Sequence, residues 1–302
     1  MSWVPCALRS PQRASQIALY KTAADDTSQQ LLRQLADRAM SGMLREVVAV
    51  LASVGVSLSH EEVARLLSTG NRPGVEQLLR QAWDTVGEQR LQESLASQIR
   101  ALALEAAEAT GIVGIETTFN VQDQEALRAI GAHAGRQITA ISQTTREAVQ
   151  GIVTRTFNNG LPLAQQIAEI AEVVGLTGQQ ALSLSHFRDG LREAGEKPQR
   201  ITALVEQKAK ALRRQRAEVI ARSESMQAIH VGQFERTAQS IRENLLDASR
   251  VKRFWIIAAD ERLCPICAAI PGSNSDGVGQ NELFVTAVGA LPYPPAHPLC
   301  RC

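Results

Sequence analysis

Apolar positions step by three or four through most of this chain, the period of an amphipathic α-helix. From about Ser28 to Val54 they are Leu32, Leu35, Ala39, Met43, Val47, Val50 and Val54. Ser59-His60-Glu61-Glu62 has capping-box spacing and opens a second helix through Leu67. Asn71 and Pro73 mark a third start. From there Val75, Leu79, Trp83, Val86, Leu91, Leu95, Ile99 and Leu102 keep one face apolar to about Ala109. These stripes predict a helical bundle that buries them. A sharper alternative leaves one stripe open for another protein chain.

Gly111 to Phe119 breaks the pattern and reads as a short strand or a hinge. Residues 121–157 return to helical spacing, and Asn158-Asn159-Gly160 stops them. Pro162 suits the first turn of a helix that runs to about Val174. Thr177 and Gln180 repeat the capping-box spacing, opening a helix with Leu182, Phe187 and Leu191 that ends near Gly195. Pro198 opens a long basic helix. Within it Ala217, Ala221, Ala228 and Gly232 are small enough for a neighbouring backbone to come close. Glu224 shares a face with Ile220 and Ala228. It either points inward and accepts from a partner such as Arg262, or the local feature is an exposed Glu218–Arg222 pair. Val251 to Ala259 is β-branched, aromatic and mostly apolar, the one strong strand candidate. Residues 271–282 are loop, and Leu283 to Thr286 is a second short strand. Pro292, Pro294, Pro295 and Pro298 stiffen the approach to His297.

Composition sharpens this picture in two ways. Of the 302 residues 44% are hydrophobic but only 4% aromatic, so the core is built from Ala, Leu, Ile and Val and suits closely packed helices. Net charge is +1, yet residues 25–125 carry 15 Asp/Glu against 8 Arg, and residues 197–222 carry 8 Lys/Arg against 2 Glu. Two surfaces with different partners follow. On the basic one, Lys208, Lys210, Arg213, Arg214 and Arg216 are the candidate contacts to nucleic-acid phosphate. No run reaches the ~18 apolar residues that a membrane span needs. Met1 to Ser10 has no cationic segment followed by an apolar one, so it is not a secretory signal.

Four of the five cysteines lie in the last fifth of the chain. Cys264-Pro265-Ile266-Cys267 is a C-x-x-C hook, and His297-Pro298-Leu299-Cys300-Arg301-Cys302 offers an imidazole and two thiols. Each half presents soft ligands at short spacing, as a tetrahedral zinc site requires. Cys264, Cys267, His297, Cys300 and Cys302 are therefore five candidates for about four positions. The alternatives are four buried thiols or two disulfides. Hook spacing in a Cys-poor chain fits a reducing compartment. Cys6 stands alone and reads as a small apolar residue. Three or four thiolates favour a closed structural site over a catalytic one. No H-x-E precedes the hook, as a deaminase would need, and the remaining histidines have no catalytic partner at telling spacing. Enzymatic activity is not expected, nor is a small-molecule substrate.

The same residues carry a resemblance. Phe254-Trp255, then Asp260-Glu261-Arg262-Leu263-Cys264-Pro265-Ile266-Cys267, Pro271-Gly272, Phe284 and Pro295-Ala296-His297-Pro298-Leu299-Cys300-Arg301-Cys302, are similar to the phage Mu F-like minor head proteins of the head-morphogenesis superfamily. The similarity covers roughly residues 170 to 302, including Gly175-Leu176-Thr177 and Ile220-Ala221-Arg222-Ser223-Glu224. It departs at Ile270-Pro271-Gly272, where relatives usually have Leu-Asp-Gly, and at Ser223, where they have Thr. The resemblance implies a minor head protein of a tailed phage or prophage. Such a protein joins the procapsid near the portal during assembly in the host cytoplasm. Its partners would be the portal and other head proteins, with double-stranded DNA as a non-specific contact. The reading from another class is a zinc-dependent nucleic-acid-binding protein or treble-clef nuclease outside the head. The expected fold is mainly α with a small α+β C-terminal module closed by the Cys/His cluster. The expected division is an arm over 1–26, helical regions over 27–157 and 158–250, and the Cys/His module over 251–302.

Overall fold

Helical periodicity and local capping together account for most of the chain. The computed structural model describes residues 26–109, 118–158, 163–257, 263–298, 300 and 302. The N-terminal arm, nearly all of the expected break at 111–119, and Arg262 lie outside them. Helix α1 runs Asp26–Val56, α2 His60–Ser68 and α3 Arg72–Ala82. Two π-helical stretches, Trp83–Glu88 and Leu91–Leu95, lead into α4, Ala96–Ala109. Then come α5 Gln124–Asn158, α6 Leu163–Val173, α7 Gly178–Glu193 and α8 Pro198–Arg242. The C-terminal part holds α9 Pro265–Ser273 and an antiparallel hairpin of β1 Phe284–Thr286 and β2 Gly289–Leu291. This is a mainly helical protein with a small hairpin beside its Cys/His cluster. Among the described residues no helix is long and apolar enough to cross a membrane.

The expected helix starts have physical caps. Ser59 accepts from the Glu62 N–H, and Asn71 accepts from Gly74 N–H with Pro73 in the first turn. Thr177 and Gln180 form a full reciprocal box on α7. Each cap satisfies amide hydrogens that the first helical turn leaves unpaired. The π-helical stretches have a cause in the sequence. Val75, Leu79, Trp83, Gly87, Leu91 and Leu95 are all buried at a strict step of four. A helix with 3.6 residues per turn would rotate such a stripe steadily off its face. The wider i→i+5 turns take up the extra residues and keep it facing inward.

The chain divides into two units, each assembled from separated segments. One contains Gly42–Ser97 and Gly135–Ala221. Its core includes Val173, Leu176, Ala181, Leu184, Val205 and Ala209, where the end of α6 meets α7 and the first part of α8. The turn after α6 places Gly175 at φ +83°, and a Cβ there would lie 2.8 Å from the Leu51 carbonyl oxygen. Only glycine meets both conditions without strain. Arg188 is buried between α6 and α7 and pairs with Glu169 at 2.7 Å and with Glu172.

The other unit contains Met1–Ser41, Gln98–Ala134 and Arg222–Cys302. Asp123 caps α5, accepting from the N–H groups of Glu125 and Ala126 at 2.8 and 2.9 Å. Chiefly through the Ala126 N–H, its carboxyl is held down to about 2. Gln239 and Arg242 of α8 reach the same carboxylate. Arg236 donates to the Ala107 carbonyl at the end of α4. The small residues of α8 have the expected purpose at Gly232. A Cβ built there would stand 2.0 Å from the Ala103 carbonyl oxygen and 3.0 Å from the Ala107 nitrogen.

Val251 to Ala259 departs from expectation. Of its described part only Arg253 pairs, in a single antiparallel bridge with Val278. Val251, Arg253 and Trp255 do alternate inward as a strand would. The middle inward position holds a guanidinium that takes up neighbouring loop carbonyls.

Because backbone opposes Gly232, the helices must move apart to admit a methyl group. Gly232→Ala should lose about 2 kcal/mol or more in denaturant unfolding. Gly131→Ala, in open space on α5, should gain up to about 1 kcal/mol. Equal effects at the two sites would contradict the close approach.

Candidate metal centre

The cluster is built by two short turns with the same three-residue step. Cys264 is the N-cap of α9, and Pro265 opens the helix at a position where no amide hydrogen is needed. The Cys267 N–H donates to Cys264 Sγ at 3.3 Å. In the second turn the Cys300 N–H donates to the His297 carbonyl at 3.1 Å. The peptide bond between Pro294 and Pro295 on the way to this turn is cis.

Side chains of the two turns converge. His297 Nε2 lies 3.0 Å from Cys264 Sγ and 3.1 Å from Cys267 Sγ. Cys267 Sγ lies 3.5 Å from Cys300 Sγ. Two groups able to hold a metal ion follow, Cys264–Cys267–His297 and Cys267–Cys300–Cys302, with Cys267 common to both. All four cysteines are free thiols, so the disulfide alternative is not realised.

The local chemistry suits a metal. His297 Nδ1 faces the Pro298 carbonyl at 2.8 Å and donates to it. That bond selects the tautomer whose Nε2 lone pair points at the sulfurs, the usual orientation of a ligating histidine. The backbone N–H of Cys267, its largest influence, brings the Cys264 thiol below its ordinary value. Cys302 and backbone amides bring Cys300 down to about 4, against the effect of burial. Burial pushes Cys267 up to about 12. Contact with Cys300 and burial push Cys302 up as well. Burial pulls the His297 imidazole down, but the Pro298 carbonyl and the neighbouring thiolates outweigh it and the net shift is upward. Thiols shifted down stand beside thiols shifted up, and metal binding would release the protons that remain.

Residues absent from the sequence expectations support the cluster. His230 of α8 donates from Nε2 to the Cys302 carbonyl at 3.0 Å. Arg253 donates to the Gly279 carbonyl at 3.0 Å and also to those of Glu282 and Pro292. Its guanidinium lies over the rings of Phe234 and Phe284. Gln280 donates to the Phe234 carbonyl at 3.0 Å. The only local signal was a cation at the inward position of an otherwise apolar run. His230 acts on a residue 72 positions away, which no spacing rule detects.

The five basic candidates do not share one exposed face. Lys208 and Lys210 are exposed, Lys208 lying over the Phe187 ring, and Arg214 is exposed and pairs with Glu218. Arg213 instead donates to the carbonyls of Val174 and Glu172 at 2.9 and 2.7 Å. Arg216 is buried and donates to the Gly175 carbonyl at 3.0 Å and to Thr145 Oγ1 at 2.7 Å. Both arginines satisfy carbonyls at and beyond the end of α6, so neither head is offered to phosphate. Glu224 does point inward. Among the described residues its buried Oε2 has no hydrogen-bond partner, and burial pushes its carboxyl up to about 8. Glu218 pairs with Arg214 rather than with Arg222.

Residues 185–302 match a family model described as Phage Mu protein F like protein. No curated protein and no solved structure matches the chain. Glu224 lies inside the matched stretch and makes stability depend on pH. Its folded value of about 8 stands above the unaffected 4.5. The folded state therefore holds the extra proton between those values, and stability falls as pH rises through that window. Glu224→Gln should raise the melting temperature at pH 9, by an amount on the order of 3 kcal/mol in stability. The gain should vanish near pH 4.5. Parallel pH–stability curves for the two proteins would contradict the burial of an unpaired carboxyl.

Proposed function

Because residues 185–302 form a domain of the Phage Mu protein F like family, we propose that this chain is a minor head protein of a tailed phage or prophage. It acts in head morphogenesis. The family match over the stretch that ends in the Cys/His cluster carries this reading. The role is structural and recognitional rather than catalytic. Long helices with apolar stripes engage the portal and other head proteins. The protein works in the host cytoplasm during assembly and resides in the head interior or near the portal.

Zinc is the ion that the cluster suits. Soft sulfur and imidazole donors favour it over calcium or magnesium, which take oxygen. Cys264, Cys267 and His297 hold it together with a cysteine of the C-terminal C-x-C. Bound there, the ion supplies a cross-link between two turns whose own segment has, among the described residues, a nine-residue helix and two three-residue strands.

Non-specific contact with packaged DNA belongs to the same proposal, through Lys208, Lys210 and Arg214. The proposal leaves out Arg213 and Arg216, whose guanidinium groups donate to backbone carbonyls.

Two measurements test these readings. Heads purified on a gradient from a lysate should contain the chain at low copy by quantitative mass spectrometry. Its absence from heads and procapsids alike would remove the assembly role. In binding assays on duplex DNA, affinity should fall steeply with salt. Reversing Lys208, Lys210 and Arg214 to Glu should lower both affinity and salt slope. An unchanged slope would remove the DNA contact and leave the head assignment standing.

A further inference from the structure

Five donors surround a site that needs four, and Cys267 is shared by two groups, Cys264–Cys267–His297 and Cys267–Cys300–Cys302. We infer that Cys300 completes a three-sulfur, one-nitrogen site with Cys264, Cys267 and His297, and that Cys302 stands outside the coordination shell as a positioning residue held by His230. This inference rests on the metal reading above.

Symmetry of the two turns is the first argument. Cys264 and Cys267 are three residues apart, and so are His297 and Cys300. Each turn is closed by a bond from the amide of its second member, to Cys264 Sγ in one case and to the His297 carbonyl in the other. A pair of donors on each such turn projects from the same side, which is what a tetrahedral centre shared between two turns needs. Cys300 Sγ already lies 3.5 Å from Cys267 Sγ and is 2% exposed.

Cys302 has a different environment. Its side chain packs against the apolar cluster of Trp255, Ile270, Val278 and Phe284. Its carbonyl accepts from His230 of α8. Its sulfur also lies within 4.8 Å of those of Cys267 and Cys300, but neither the apolar cluster nor His230 supplies a ligand candidate. Turning its sulfur toward Cys264 and His297 in place of Cys300 would give up that apolar packing. Left in place, Cys302 sits beside Cys300, with their sulfur atoms and that of Cys267 all within 4.8 Å. His230 then acts on the site indirectly, by fixing the backbone of Cys302 two residues beyond the ligand Cys300.

The test uses the full chain made under reducing conditions with zinc supplied. X-ray absorption on the wild type should give a shell of three sulfurs and one nitrogen. Cys302→Ser should keep one zinc per chain and the same shell, whereas Cys300→Ser should lose the metal. His230→Ala should keep the shell but bind zinc about tenfold more weakly in a chelator competition. A four-sulfur shell in the wild type overturns the assignment without needing any variant to fold. So does zinc loss in Cys302→Ser, or zinc retention in Cys300→Ser. Unaltered affinity in His230→Ala overturns the positioning role. Absence of zinc from the wild type is a separate result, and it overturns the metal reading itself.

Discussion

Buried guanidinium groups that take up unpaired backbone carbonyls are the interaction on which both units depend. A buried carbonyl without a partner costs about 1–3 kcal/mol. Helix ends and loops produce such carbonyls in number. Arg213 and Arg216 satisfy those at the end of α6 and in the turn beyond it. Arg236 takes the Ala107 carbonyl near the end of α4. Arg253 takes carbonyls from three places in the loop between α9 and the cysteine-rich end. The planar fork of arginine can meet several acceptors at once, which a lysine ammonium at the same position does with less direction. Burial lowers the Arg216 guanidinium to about 10, which still leaves it charged at neutral pH.

The C-terminal module shows why this matters for the cluster. Its regular structure is brief, so few of its backbone groups are paired within helices or strands. Arg253 gathers the loop, and its guanidinium stacks between Phe234 and Phe284. Trp255 meets Phe284 edge to face, with ring centroids 5.2 Å apart. Asn274 pairs its side-chain amide with both backbone groups of Val285, standing in for a strand at the outer side of β1. These contacts bring the two turns together before any ion is considered. A preorganised set of donors then loses less conformational freedom on binding than a set on free loops.

Periodicity, caps and motifs were legible in the sequence. The stripe from Leu35 to Val54 is buried at Leu35, Met43, Val47, Val50 and Val54. Ser59, Asn71 and Thr177 cap the helices that their spacing announced. C-x-x-C and H-P-x-C-x-C marked the residues whose donors converge, because short-range spacing alone sets how each turn presents its ligands. The resemblance read from those residues lies over the stretch that the family model matches. All of these depend on residues a few positions apart, where chain geometry leaves little choice.

Tertiary structure decided what distant residues do to one another. A charge run reads the same whether its heads meet phosphate or carbonyl oxygen, and only the approach of α6 to α8 turned Arg213 and Arg216 inward. Arg253 makes the single bridge of its run while its side chain takes up loop carbonyls, a role not visible in Val251 to Ala259. Glu224 showed its inward direction by its place on the helix, but not that its Oε2 would be buried without a hydrogen-bond partner among the described residues. His230 gained a role from a carbonyl 72 residues away. Helical sequence determines which stripe is apolar and where a turn begins, since these follow from backbone geometry and nearest neighbours. It does not determine which surface the stripe meets, because that choice belongs to the packing of segments far apart in the chain.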